Sequence, residues 1–183
     1  TSTAVFSVAG QEALPQGIAF NTNGTVMFVV GESGDAVDSY VLTTPFMTST
    51  ATYATTFSVS AQDTQPMDIT FNSDGTRMYI VALFAGGEVN MYALSTPFNI
   101  STASYQNRLD INTQEGRPTG ITFNPDGTKM FIVGETDDEV NEYSLSTAFD
   151  VTTASPVRTF SVATQETTPQ GIAFSADGTK MFI

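Results

Sequence analysis

The residues of this chain best suited to chemistry are carboxylates. Nineteen Asp and Glu stand against six Lys and Arg, a net charge of −13, and there is no histidine and no cysteine. The commonest general base and the commonest metal ligand are therefore missing, and so are thiolate metal sites and disulfides. The densest acidic run is Glu135-Thr136-Asp137-Asp138-Glu139. Hard cations such as Ca²⁺ take several carboxylate and carbonyl oxygens together, so Glu135, Asp137, Asp138 and Glu139 are the candidate calcium ligands. The run lacks the D-x-D-x-D-G spacing of a calcium loop. No other cofactor is expected. So acidic a surface repels phosphate backbones and anionic membranes, which argues against nucleic acid as a partner. No apolar run approaches the length of a membrane-spanning helix.

The elements that must position these groups come from a repeat. Ile121 to Gly134 reads I-T-F-N-P-D-G-T-K-M-F-I-V-G, and related copies begin at Ile18, Ile69 and Ile172. Pro15, Pro66, Pro118 and Pro169 are spaced 51, 52 and 51 residues apart, and Phe20, Phe71, Phe123 and Phe174 keep step. Each copy is an apolar run, an Asn/Asp-Gly turn and a second apolar run, which is the signature of a β-hairpin. The Asn and Asp of these turns bond their own backbone, a structural duty rather than a metal site.

One unit predicts four strands: Gly120 to Phe123, Lys129 to Val133, Val140 to Leu145 and Arg158 to Val162. Equivalents of the last are Phe57 to Val59 and Phe6 to Val8. Helix is limited to a single turn at Leu145 to Phe149. The Ser/Thr-rich stretches at 48–56 and 101–104 read as outer loops. Four strands in about 50 residues, repeated in tandem, predict an all-β fold, a β-propeller of four-stranded blades. A β-solenoid is the alternative. Apolar runs such as M-F-I-V lack strict alternation because both faces of a blade pack on its neighbours. The inner-strand residues Phe20, Phe71, Phe123 and Phe174 should be buried.

The expected division is an outermost strand of a preceding blade at 1–14, blades at 15–65, 66–117 and 118–168, and two strands of a partial blade at 169–183. Three whole blades and two fragments do not close a ring, since closed propellers have about four to eight. Further blades of a longer chain, or further copies of this one, are the expected partners.

The pattern P-x-G-I-x-F-N-x-D-G-T-K-M-F-I-V-G resembles the propeller repeats named YVTN and NHL, over the first two strands of every unit. The connection L-S-T-P-F…S-T-A, at Leu94 to Ala103 and Leu145 to Ala154, looks like repeat arrays in secreted bacterial, archaeal and phage surface proteins. The resemblance implies a propeller outside the cell or on its surface. Some YVTN-type propellers are lactonases. With no histidine, no catalytic residue carries over to this chain.

Propeller topology puts the loops joining strand four to strand one, and strand two to strand three, on one face. Glu12, Asp63, Glu115 and Glu166 fall in the first set; Glu32, Asp35, Glu88 and the 135–139 run fall in the second. They are read as solvated loop charges, with calcium binding as the sharper alternative. Asp68 breaks the repeat, for its equivalents are Gly17, Gly120 and Gly171. A carboxylate there would face the central channel or the neighbouring blade. The insertion Ala82 to Gly87 exposes Leu83 and Phe84 on the same rim, so Asp68, Leu83 and Phe84 form the candidate ligand site. Asn23-Gly24-Thr25 and Asn99-Ile100-Ser101 match the glycosylation sequon. The resulting expectation is a non-enzymatic binding or scaffold module of a surface, filament or phage-tail protein, with glycans or surface proteins as partners. The alternative is a carbohydrate-active propeller, lectin or glycosidase, working on the acidic face.

Overall fold

A computed structural model describes residues 5–83 and 86–183. Its first sheet holds β1 (Pro15–Phe20), β2 (Val26–Gly31), β3 (Ala36–Leu42) and β4 (Ala51–Ser58). The second holds β5 (Pro66–Phe71), β6 (Arg77–Ala82), β7 (Glu88–Leu94) and β8 (Ala103–Asp110). The third holds β9 (Pro118–Phe123), β10 (Lys129–Gly134), β11 (Glu139–Leu145) and β12 (Ala154–Ser161). Each is an antiparallel meander in sequence order, and a two-stranded sheet follows, β13 (Ala173–Phe174) with β14 (Met181–Phe182). These are three blades and the inner half of a fourth. The fold is an all-β propeller arrangement, with first strand against first strand: β1 lies on β5, and β5 on β9.

The repeated turn explains its own sequence. Gly24 N–H donates to Asn21 O (3.0 Å), and Val26 N–H donates to Asn21 Oδ1 (2.9 Å). Thr25 N–H donates to Asn23 Oδ1 at 3.1 Å. The same bonds recur around Asn72 and Asn124. Gly24, Gly75 and Gly127 adopt φ near +71 to +73°, and a Cβ on any of them would overlap the ring of Phe46, Phe98 or Phe149. These phenylalanines are themselves left-handed, with φ of 57, 56 and 60°. Their amides hold that conformation by donating to the carbonyl of the glycine beneath (2.9 Å each). Phe and Gly thus lock the loop between strands three and four onto the hairpin between strands one and two.

Apolar packing lies mainly between blades. Phe28, Val30, Val37, Ile69, Met78, Ile80 and Tyr92 form one buried cluster. Tyr79, Val81, Ile121, Met130, Ile132 and Tyr143 form the next. Phe71, Phe123 and Phe174 sit at 4.6–4.7 Å from Phe28, Tyr79 and Phe131 of the preceding blade. They are half-buried rather than buried, because they lie at the end of the first strand beside the turn. The seam between the second and third blades is also tied by polar bonds. Arg77 Nη1 and the Tyr79 hydroxyl both donate to Phe149 O, at 2.7 and 2.6 Å.

Several expectations need correction. The fourth strands start earlier than read, at Ala51, Ala103 and Ala154, so much of the Ser/Thr-rich stretch at 48–56 is strand. They are outer edge strands with mostly exposed side chains, so no apolar alternation marks them. A register shift opposite Glu142/Tyr143 and its equivalents blurs the pattern further. The 3-10 turns that lead into the fourth strands lie at Thr48–Thr50, Ile100–Thr102 and Val151–Thr153, not within Leu145 to Phe149. Phe6 to Val8 forms no strand; Phe6 and Val8 pack instead on Met27, Val29, Tyr40 and Leu42.

Candidate functional site

The first strands of the blades bound an open cleft of about 600 Å³. Gln16, Gly17 and Ile18 line it from β1, Asp68 from β5, and Gln170 to Ala173 from the fourth unit; Glu166 and Thr168 close its rim. Glycine recurs on this level because adjacent first strands touch. A Cβ on Gly17 would lie 2.7 Å from Asp68 Cα, and one on Gly120 would lie 2.8 Å from Gly171 Cα. Asp68 is the one side chain among these four positions, and it reaches across the seam. Its Oδ2 accepts Ile121 N–H (3.0 Å), and its Oδ1 accepts Ile69 N–H (2.8 Å). Burial pushes its carboxyl up to about 6, against the pull of the Ile121 and Ile69 amides. Glu166 is the opposite case. The Thr168 amide and hydroxyl hold it below the usual carboxylate range. Two carboxylates on one cleft are thus driven apart in acidity, Asp68 by burial and Glu166 by its Thr168 donors.

The rim is hydrogen-bonded from blade to blade. Gln16 Nε2 donates to Glu32 Oε1 at 2.8 Å. Glu135 accepts Arg117 through Oε2 (3.1 and 3.2 Å) and Gln170 through Oε1 (2.7 Å), joining the third unit to the fourth. Arg117 is a single cation at this level, where the other units place Leu14, Gln65 and Thr168.

The sequence-derived candidates do not gather as expected. Asp68 lies in the cleft. Leu83 is not an exposed contact; it packs partly buried on the apolar cluster shared by the second and third blades. The insertion turns back through Gly86 N–H to Leu83 O (3.0 Å), and Leu83 N–H donates to Gln65 O, which draws the side chain inward. Phe84 lies outside the described residues. Glu135, Asp137, Asp138 and Glu139 do not converge: among the described residues no group of three or more acidic side chains could hold a metal ion. Glu135 is committed to Arg117 and Gln170, and Glu139 begins β11 opposite Gly134.

The loop acids held another surprise for sequence reasoning. Glu12, Asp63, Glu88 and Glu115 are buried, not solvated. Glu12 Oε1 accepts the amides of Leu14 (2.6 Å) and Ser33 (3.1 Å) and the Ser33 hydroxyl, and its Oε2 accepts Gly34 N–H (3.1 Å). Burial alone would raise its pKa, but these donors lower it. Glu115 clasps Arg117 N–H and Thr136 N–H at 2.8 and 3.1 Å. Glu12 and Glu115 each staple the two loops on their blade's upper face. Glu12, Asp63 and Glu115 hold the same point of successive units, while Glu166, at that point of the fourth, is exposed.

No protein-family model matches the chain, and no curated protein matches it in sequence. Solved structures do match in fold. A protein of Bacteroides uniformis assigned as a 6-phosphogluconolactonase aligns with 97% of this chain and 50% of its own, at 16% identity and a TM-score of 0.64. Kuenenia stuttgartiensis hydrazine synthase aligns with 98% and 43%, at 16% identity and 0.63. The periplasmic gluconolactonase of Pseudomonas aeruginosa aligns with 80% and 38%, at 12% identity and 0.55. The chain spans half the length of these neighbours or less. Such identities show the fold alone, a β-propeller. The neighbours also correct the expectation of a non-enzymatic binding or scaffold module, since those named for an activity are enzymes. That expectation leaned on the missing histidine.

Proposed function

We propose that this chain is a blade array of YVTN type from an enzyme that hydrolyses a small polyhydroxylated lactone, with Asp68 as general base. One observation carries the reading. Asp68 interrupts an otherwise glycine position, opens onto the cleft and is pushed up to about 6 by burial. At neutral pH it is mostly ionised yet basic enough to take a proton from water. The water oxygen adds to the lactone carbonyl as Asp68 accepts its proton. The tetrahedral oxyanion then collapses, the ring C–O bond breaks, and the departing alkoxide takes the proton back from Asp68. The product is an open-chain hydroxy acid. Gln16, Gln170, Thr168 and Glu166 supply amide, hydroxyl and carboxylate partners for substrate hydroxyls. A lactone requires one base, whereas glycoside hydrolysis uses a carboxylate pair flanking the bond. The fold of lactonase-named neighbours supports the same class.

The test is pH-stat hydrolysis of δ-gluconolactone by the protein and by Asp68→Asn. The wild-type rate should exceed the spontaneous rate and rise through pH 6, and the variant should lose about 10²–10⁴-fold, the usual range for a general base. A folded Asp68→Asn protein with an unchanged rate would sink the assignment.

A further inference from the structure

We propose that the outer part of the first blade holds a site for one guanidinium group, the end of an arginine side chain on a peptide partner, with Asp38 as its carboxylate and the Tyr53 ring as its wall. The argument compares equivalent positions of the blades. In the second blade, Glu88 and Asn90 share one face of β7, and Arg108 stands on β8 opposite Asn90. Arg108 Nη1 donates to Glu88 Oε2 at 2.7 Å, and Asn90 Nδ2 donates to Glu88 Oε1 at 2.6 Å. The buried carboxylate of that blade thus has its own guanidinium, in line with the rule that buried charges are paired.

In the first blade the same three positions are Ala36, Asp38 and Thr56. The long acid and the arginine are both replaced by short side chains, and the carboxylate stands where the other blades have Asn90 and Asn141. Asp38 is 4% exposed, and among the described residues no cation pairs with it. Burial pushes its carboxyl up, against the bond from Thr56, and the charge of Glu12 adds to the rise. Beside Ala36, Asp38 and Thr56 lies a pocket of about 310 Å³, which Gln11, Gly34 and Tyr53 also line. The loop at Gln11 recurs at Gln62 and Gln114, so the pocket is built from parts that every blade has. Tyr53 is held edge-on to Tyr40, with ring centroids 5.9 Å apart. A ring beside a carboxylate suits a planar cation, which stacks on the one and donates to the other. A hard metal ion fits poorly, because it takes about six to eight oxygens and no three acidic side chains converge among the described residues. Free arginine is a poorer source than a peptide, because its own carboxylate would enter the field of a chain with a net charge of −13.

The test is an amide NMR titration of the isotope-labelled protein with Nα-acetyl-arginine amide. Saturable shifts are expected at Gln11, Gly34, Asp38 and Thr56. The citrulline analogue, alike in shape but uncharged, should bind at least about tenfold more weakly, since hydrogen bonds to charged groups are the stronger ones. Asp38→Asn brings in the residue that the other two blades carry, and should weaken the probe about ten- to hundredfold. Thr56→Arg supplies a guanidinium from the opposite strand, and should abolish the shifts. Absence of saturable shifts overturns the proposal, as does equal binding of the citrulline analogue. Unchanged binding by folded Asp38→Asn or Thr56→Arg protein overturns it too. A lysine analogue that binds as tightly would overturn the guanidinium assignment, and tighter binding of free arginine would overturn the peptide source. No residue of this pocket lines the cleft, so the result is independent of the lactone reading.

Discussion

The carboxylate of Asp68 meets the amide of Ile121 across the seam between two blades, 3.0 Å apart. The bond closes the second blade onto the third where other units have only glycine. It also ties the candidate base to the frame of the fold. The folded form holds the Asp68 proton up to about 6. The unfolded chain releases it near the ordinary value of about 3.9. Between those values the unfolded state gives up the proton first, so this group's contribution to stability is full below about 4 and is lost as pH rises to 6. Urea melts at pH 4, 5, 6 and 7 should show wild type losing on the order of 2 kcal/mol relative to Asp68→Asn across that window. A constant difference would contradict the shifted carboxyl.

A matched glycine pair tests the close approach of the first strands. A Cβ on Gly17 would press on Asp68 Cα and Oδ1 at 2.7 Å, but one on Gly171 meets nothing within 4 Å. Gly17→Ala should cost about 1–3 kcal/mol, as overpacking does. Gly171→Ala should fall within about 0.5 kcal/mol of wild type, as unconstrained surface changes do. Chemical denaturation of both variants measures the contrast.

The Phe-over-Gly lock can be separated from backbone strain. Gly75 and Gly178 share a left-handed φ, of 73 and 69°, but only Gly75 lies under a Phe ring. Alanine at Gly178 should pay the conformational cost alone, about 1–2 kcal/mol. Alanine at Gly75 should also displace Phe98, for about 1–3 kcal/mol more. Equal melting temperatures for the two variants would mean that the ring does not hold the turn.

Glu12 shows the opposite pH behaviour to Asp68. Burial works against its charge, yet Ser33, Leu14 and Gly34 donate to it and lower its pKa. Its contribution is therefore present above the ordinary Glu value of about 4.3 and fades as pH falls through the lowered folded value. Glu12→Gln should cost about 1–3 kcal/mol at pH 7 through lost charged hydrogen bonds, and less at pH 3. Thermal melts at the two pH values check the sign.

Most of the fold was legible because it is written several times. Asn21-Thr22-Asn23-Gly24 and its copies marked the hairpins, and the Pro and Phe spacing marked the repeating units. Asp68 was legible as a departure from Gly17, Gly120 and Gly171. What stayed hidden was tertiary. Nothing local distinguishes a solvated Glu12 from one buried under its own loop, since its partners at Ser33 and Gly34 lie 21 and 22 residues away. Leu83 in a loop rich in Gly and Ala looked like an exposed tip, but the blade interface claimed it. The outer strands were trimmed because residues such as Thr52, Tyr53 and Ala54 face water and carry no pattern.

The two hydrogen bonds to the Phe149 carbonyl make the seams unequal. Arg77 and Tyr79 reach it from the second blade, but their counterparts in the first blade are Val26 and Phe28, which have no side-chain donor. In an array where each unit touches only its neighbours, opening proceeds seam by seam, and the weakest seam sets the boundary of the cooperative unit. Amide protons of β1 to β4 should therefore exchange as one group ahead of those in β6 and β10. On that kinetic map, the second and third blades are a single block that the first joins late and leaves early.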